Sequence, residues 1–128
     1  MPSYLLDTDV IIDALSGKRG AADLFRRLLL EGHSLACCAV NLAEVLAGVR
    51  HAEERRVSRF LGSLEYYPIT RTAACRAGLL KRDWARKGVA LSTTDAMIAA
   101  VALEYNLTLV TRNVRHYPMP ELRLRPTT

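Results

Sequence analysis

Short apolar runs, each followed at once by a helix-spaced apolar pattern, recur from one end of this chain to the other. Tyr4-Leu5-Leu6 reads as a strand, and Thr8 to Ser16 as a helix stopped by Gly17. Ala21, Leu24, Phe25, Leu28 and Leu29 share one helical face, with Asp23, Arg26, Arg27 and Glu31 opposite and Gly32 at the end. Ser34 to Ala39 reads as a second strand. Leu42, Val45, Leu46 and Val49 make a third helical face, and Val57, Phe60, Leu61 and Leu64 a fourth. Glu65 to Ile69 reads as a strand that Pro68 confines to a sheet edge. A long helix capped by Thr70 or Thr72 runs to about Lys87 and Gly88. The helix from Thr93 to Tyr105 contains "AMIAAVAL", apolar nearly all round, which marks burial on most sides. Asn106 stops it, Leu107 to Val110 follows as a strand, and Leu122 to Leu124 as a weak last one. Such alternation predicts an α/β domain with a mainly parallel central sheet flanked by helices.

A chain of 128 residues fits one domain, taken here as 1–128, and a 50% hydrophobic composition can fill its core. Every apolar stretch stops short of the roughly 18 residues that a membrane span requires. Met1 to Tyr4 carries no basic segment before an apolar run, so no signal peptide is expected. Cys37, Cys38 and Cys75 lack C-x-x-C spacing, which points to a reducing cytoplasm without a disulfide framework. Eighteen Lys+Arg against thirteen Asp+Glu give +5, and the pI is near 9.4. That balance suits an anionic partner such as nucleic acid, although solubility alone also accounts for it.

Polar residues gather where strands end. Ligands of open parallel sheets bind beyond the carboxyl ends of the strands. Asp7 stands just past the first strand, and Thr111, Arg112 and Asn113 just past "LTLV". Glu44 falls in about the first turn of one helix and Asp95 at the start of the buried one. Each acid has a local explanation. Asp7 can cap the helix from Thr8, Asn41-x-x-Glu44 and Ser92-x-x-Asp95 have capping-box spacing, and Asp9 favours a helix N-terminus. Collected at one edge, though, Asp7, Asp9, Glu44 and Asp95 would repel one another unless a cation neutralised them. Hard oxygen ligands suit Mg²⁺ or Mn²⁺. An acidic metal site within a basic protein suits chemistry on a phosphodiester backbone.

The segments "YLLDTDVIIDAL", "AVNLAEVLAGV", "LSTTDAMIAAVALEYNLTLVTRNVRHY" and "ELRL" together resemble the PIN-domain ribonucleases, specifically the VapC-type toxins of bacterial toxin–antitoxin modules. The resemblance spans nearly the whole chain in family order, and "TDAMIAA…LTLVTRN" is its most specific part. It implies a parallel sheet flanked by helices and Mg²⁺-dependent RNA cleavage, with Mn²⁺ as a substitute. It also implies a homodimer and a small VapB-like antitoxin that blocks the site. By position, Asp7, Glu44 and Asp95 match the family's acidic residues. Asp7 and Asp95 would be the principal metal ligands, Glu44 would complete the pocket, and Asp9 and Thr111 would support it. Asn113 departs from the pattern, since many members carry a carboxylate there, and His116 stands where a further acid is common. Losing that charge would weaken a second metal ion more than a first. Arg112 and Arg115 flank the expected site and are the candidates for phosphate contact.

Two other functions compete. Asp7-x-Asp9 after an apolar strand also resembles the nucleophile motif of haloacid-dehalogenase phosphatases, but only Glu104 and Glu121 are available as acids after Asp95. A non-catalytic RNA- or partner-binding PIN-like module is the alternative that Asn113 favours. Arg55, Arg56 and Arg59, and the cluster from Arg76 to Lys87, read as solvated faces or as contacts to RNA or an acidic partner. His116 beside Tyr117 reads more readily as structural than as catalytic. Trp84 and Tyr66-Tyr67 read as core or partner contacts rather than as base-stacking platforms.

Overall fold

The computed structural model describes residues 3–127. Its strands are β1 (Ser3–Leu6), β2 (Ser34–Cys38), β3 (Glu65–Tyr67), β4 (Thr108–Thr111) and β5 (Leu124–Pro126). Its helices are α1 (Thr8–Leu15), α2 (Ala21–Leu30), α3 (Ala39–Ala47), α4 (Glu54–Gly62), α5 (Arg71–Arg86) and α6 (Thr93–Glu104). Short 3₁₀ turns occupy His51–Glu53 and Val114–His116. The strands form one sheet in the order β3-β2-β1-β4-β5, and every pairing is parallel. All their C-terminal ends therefore lie along one edge.

Strand alternation splits the core into two layers. Leu5, Ala36 and Leu109 face α5 and α6, while Leu6, Leu35, Cys37 and Val110 face α1, α2 and α4. In α6, Ala96 and the run from Ile98 to Ala102 are buried, as an all-round apolar helix requires. Its small alanines let it lie close against α5. In α2 the apolar stripe is narrower than its spacing suggests: Ala21, Leu24, Phe25 and Leu28 are buried, but Leu29 is 56% exposed.

Local stops follow backbone chemistry. Gly17 takes φ 67° after α1, a left-handed conformation that a side chain resists. Asn106 takes φ 57° after α6, and Arg123 donates to both its carbonyl and its side-chain oxygen. Thr70, rather than Thr72, caps α5 by accepting from the Ala73 amide.

Two strands sit further along the chain than periodicity indicates. Leu107 still closes the end of α6, its amide donating to Ala102 at 2.8 Å, so β4 starts at Thr108 and takes in Thr111. The last strand is Leu124–Pro126, not Leu122–Leu124. Leu122 turns back on Met119, and pairing with β4 begins where the Leu109 amide donates to the Arg123 carbonyl. Pro126 is tolerated because β5 is an edge strand. The Pro68 constraint acts in the same way at the other edge, ending β3 at Tyr67.

Candidate active site

The C-terminal edge of the sheet opens into a cleft of ≈ 300 Å³ lined by Asp7, Thr8, Asp9, Ile12, Glu44, Asp95, Asn113 and His116. The fold thus gathers all four expected acids and Asn113. They arrive from four places in the chain, with Asp7 and Asp9 sharing the β1–α1 junction. Asp7 follows β1, Glu44 lies in the second turn of α3, Asp95 lies in the first turn of α6, and Asn113 follows β4.

Asp7 is the most buried of the four acids that line the cleft, 5% exposed. It caps α1, its Oδ1 accepting from the Thr8 amide at 2.9 Å. The same oxygen accepts from the Tyr117 hydroxyl at 3.1 Å, and Oδ2 accepts from Thr111 Oγ1 at 2.7 Å. Burial pushes its carboxyl above the ordinary value; the Thr111 and Tyr117 hydrogen bonds pull it down, and the charge of Asp95 raises it further. Capping and a role in the cleft therefore coexist in one residue.

Asp95 behaves differently from a capping-box acid. Ser92 Oγ accepts from the Asp95 amide at 3.0 Å, the first half of the box. The carboxylate turns instead into the cleft, where Oδ1 lies 3.2 Å from the Tyr117 hydroxyl and Oδ2 lies 3.4 Å from His116 Nδ1.

Glu44 is held through a relay that its spacing conceals. Asn41 is not the cap of α3 but sits three residues inside it. Its Oδ1 accepts from the Cys38 amide at 2.8 Å, and its Nδ2 donates to Thr8 Oγ1 at 3.0 Å. Thr8 Oγ1 in turn donates to Glu44 Oε1 at 2.6 Å. The expected Asn41–Glu44 box is replaced by a Cys38–Asn41 one, and this is why Glu44 lies a turn deeper than expected. Asn41 itself is fully buried.

On the far wall, Asn113 Nδ2 donates to Asp9 Oδ2 at 2.8 Å, while the Asn113 amide donates to Thr111 Oγ1 at 3.0 Å. The amide side chain spends its donor on Asp9 and keeps its carbonyl oxygen. A carboxylate at this position would face Asp9 as a like charge.

The two arginines differ. Arg112 is engaged within the chain: its Nε lies 3.0 Å from Asp13 Oδ2, and a terminal nitrogen lies 3.9 Å from Asp9. Asp13 is buried and pairs also with Arg19 at 2.9 Å. Arg115 is exposed beside the cleft. Tyr67 packs on Tyr105 and Trp84 lies against the core, whereas Tyr66 is 51% exposed.

Sequence reasoning missed Tyr117, Asn41 and Asp13. Tyr117 is 2% exposed, and burial together with Asp7 and Asp95 pushes its phenol far above the usual range, so it stays a hydrogen-bond donor. In the sequence it stands only as the neighbour of His116, with no spacing that marks it for the cleft. Asp13 had a signal: an acid on the buried face of an amphipathic helix requires a partner.

The donor set fits a hard divalent cation. Among the described residues no Lys or Arg lies within ion-pair distance of Asp7, Glu44 or Asp95. That is unusual in a chain with 18 Lys+Arg against 13 Asp+Glu. Nor, among those residues, do three or more His, Cys, Asp or Glu side chains come together in a group that could hold a metal ion, so a cation here would rest on two carboxylates at most. Two carboxylates facing one open cleft suit Mg²⁺, which keeps most of its waters and takes one or two protein carboxylates.

The PIN domain family profile matches residues 4–122. The chain belongs to the PIN-domain family. Within it, the chain is similar to proteins named Ribonuclease VapC10 and Ribonuclease VapC19, both of Mycobacterium tuberculosis. VapC10 is 39% identical over 122 residues, 95% of this chain and 90% of that protein. VapC19 is 33% identical over 120 residues, 93% of this chain and 96% of that protein. Among solved structures, VapBC2 from Rickettsia felis, bound to a promoter DNA fragment, matches with a TM-score of 0.83 at 25% identity, covering 97% and 98% of the two chains. DNA-bound VapBC from Salmonella typhimurium matches with a TM-score of 0.81 at 26% identity, covering both chains completely. The fold explains why the acids meet: Asp7 and Asp9 follow β1, Glu44 lies in the helix after β2, and Asp95 opens α6, all at the C-terminal edge of one parallel sheet. No helix among the described residues is long and apolar enough to cross a membrane.

Proposed function

We propose that this PIN domain is a metal-dependent endoribonuclease, the toxin of a toxin–antitoxin pair, that acts in the cytoplasm and is restrained by a small VapB-like antitoxin. The observation that carries the catalytic part is the cleft in which Asp7, Glu44 and Asp95 meet without a Lys or Arg partner among the described residues. The toxin–antitoxin part is supported by similarity to VapC ribonucleases and to VapBC complexes. Homodimerisation belongs to the same proposal.

Asp7 and Asp95 would hold Mg²⁺, with Mn²⁺ as its substitute. When bound, that ion would lower the pKa of a water and stabilise charge on the scissile phosphate. Thr111 and the Thr8 amide fix the Asp7 carboxylate. Glu44, fixed through Thr8 and Asn41, is the cleft acid placed to take a proton from attacking water. Hydrolysis then adds water across one P–O bond and releases the RNA as two fragments. Asp9 and Asn113 form the opposite wall, and the Asn113 carbonyl is free to accept a hydrogen bond from the substrate. Arg115 supplies a phosphate contact at the cleft rim, and the net charge of +5 draws RNA towards the surface.

Incubating the purified chain with RNA in Mg²⁺, in EDTA, and with Asp95→Asn tests the proposal. Cleavage in Mg²⁺, none in EDTA, and a loss of at least about 100-fold in the variant are expected for removal of a metal ligand. RNA binding without turnover in any metal would replace the proposal with a non-catalytic RNA-binding module.

A further inference from the structure

Tyr117 sits at the meeting point of the cleft's two buried-side acids. It is 2% exposed, lies 110 residues from Asp7 and 22 from Asp95 in sequence, and places one hydroxyl 3.1 Å and 3.2 Å from their respective Oδ1 atoms. We infer that Tyr117 is a positioning residue, whose buried hydroxyl fixes the separation and orientation at which Asp7 and Asp95 meet a divalent cation. This rests on the metal-dependent reading of the same cleft.

A ring that served only as core filling would need no hydroxyl, and burying one requires a partner. Here the hydroxyl's partners are two carboxylates brought from separate elements, rather than a nearby backbone carbonyl. One O–H carries one hydrogen, which the two carboxylates share, so the hydroxyl holds both acids beside it without neutralising either. Asp7 has roughly four acceptor positions. Thr8, Thr111 and Tyr117 fill three of them, which leaves it one direction in which to bind a cation. Asp95 is less constrained. Besides Tyr117, the polar partner of its carboxylate among the described residues is His116 Nδ1 at 3.4 Å, and that side chain is 56% exposed. Without the hydroxyl, repulsion from Asp7 would swing Asp95 away and the paired site would open.

Mn²⁺ titrated calorimetrically into the wild-type chain and Tyr117→Phe, each first shown to unfold cooperatively without metal, tests this. Removing a hydrogen-bond donor behind a metal ligand should weaken Mn²⁺ binding by about 10–100-fold. The Mg²⁺ concentration giving half-maximal RNA cleavage should rise by the same factor, with the rate recovering at saturating Mg²⁺. A merely structural hydroxyl would lower stability without moving that Mg²⁺ requirement. His116→Ala, at an exposed position, provides an arm that leaves the core intact. It should shift Mn²⁺ affinity less than Tyr117→Phe does, and a larger shift would give the positioning role to His116 instead. If wild type and Tyr117→Phe bind Mn²⁺ equally, the inference fails and the metal-dependent reading stands. If neither binds, both fall.

Discussion

Asp7 is pulled between burial and charge. Its carboxyl is pushed above the ordinary 3.8 chiefly by desolvation, against the hydrogen bonds of Thr111 and Tyr117. The folded chain therefore holds this proton more tightly than the unfolded chain does. The resulting stability is complete below 3.8 and is lost as pH rises through the higher folded value. At neutral pH without metal, the ionised Asp7 is a net cost. Asp7→Asn in EDTA should thus be more stable than wild type by about 0.5–2 kcal/mol at pH 7. That advantage should shrink as the pH falls towards the carboxylate range. Urea unfolding at the two pH values measures it, and a variant less stable than wild type at pH 7 would contradict the account. Added Mg²⁺ should stabilise wild type and leave Asp7→Asn unmoved. Asp7, Asp9, Glu44, Asp95 and Asn113 were legible as a group because each follows a strand or opens a helix. The allegiance of Arg112 was not legible. Its partner Asp13 lies on the buried face of α1, and periodicity gives the face of a residue but not its neighbour across the core.

At the scale of elements, α3 shows how a cap also serves a site. Asn41 closes the helix start by accepting from the Cys38 amide and ties it to α1 through Thr8. Asn41→Ala leaves the Cys38 amide without its side-chain acceptor and Thr8 without its donor. The expected cost is about 1–3 kcal/mol by urea denaturation. RNA cleavage should fall further than stability explains, because the Thr8–Glu44 bond loses its anchor. Unchanged cleavage in a folded Asn41→Ala would show that Glu44 needs no such support. Helix and strand types were read correctly from spacing, and their ends less well. Asn41 has the residue type of a cap, yet the β2 backbone runs on to Cys38 and puts the cap there. The last strand was displaced because Leu122 is apolar for the core, packing beneath the turn from Met119, rather than for the sheet.

For the whole molecule, the parallel sheet turns a linear scatter of acids into one cleft. The strand order β3-β2-β1-β4-β5 sets β1 and β4 side by side, so Asp7 and Thr111 meet although 104 residues separate them. The parallel α/β class followed from alternation alone, but strand order did not, because it depends on which apolar faces pack across the sheet. Tyr117 escaped notice for the same reason: only the closed fold brings its hydroxyl between Asp7 and Asp95. The central claim is that this cleft is a cation site that cuts RNA. Calorimetric titration of Mn²⁺ into wild type and into Asp7→Asn/Asp95→Asn, with RNA cleavage assayed on the same samples, tests it most directly. Wild type should bind Mn²⁺ and cleave, and the double variant should lose both together. A double variant that binds Mn²⁺ or cleaves RNA as well as wild type would contradict it.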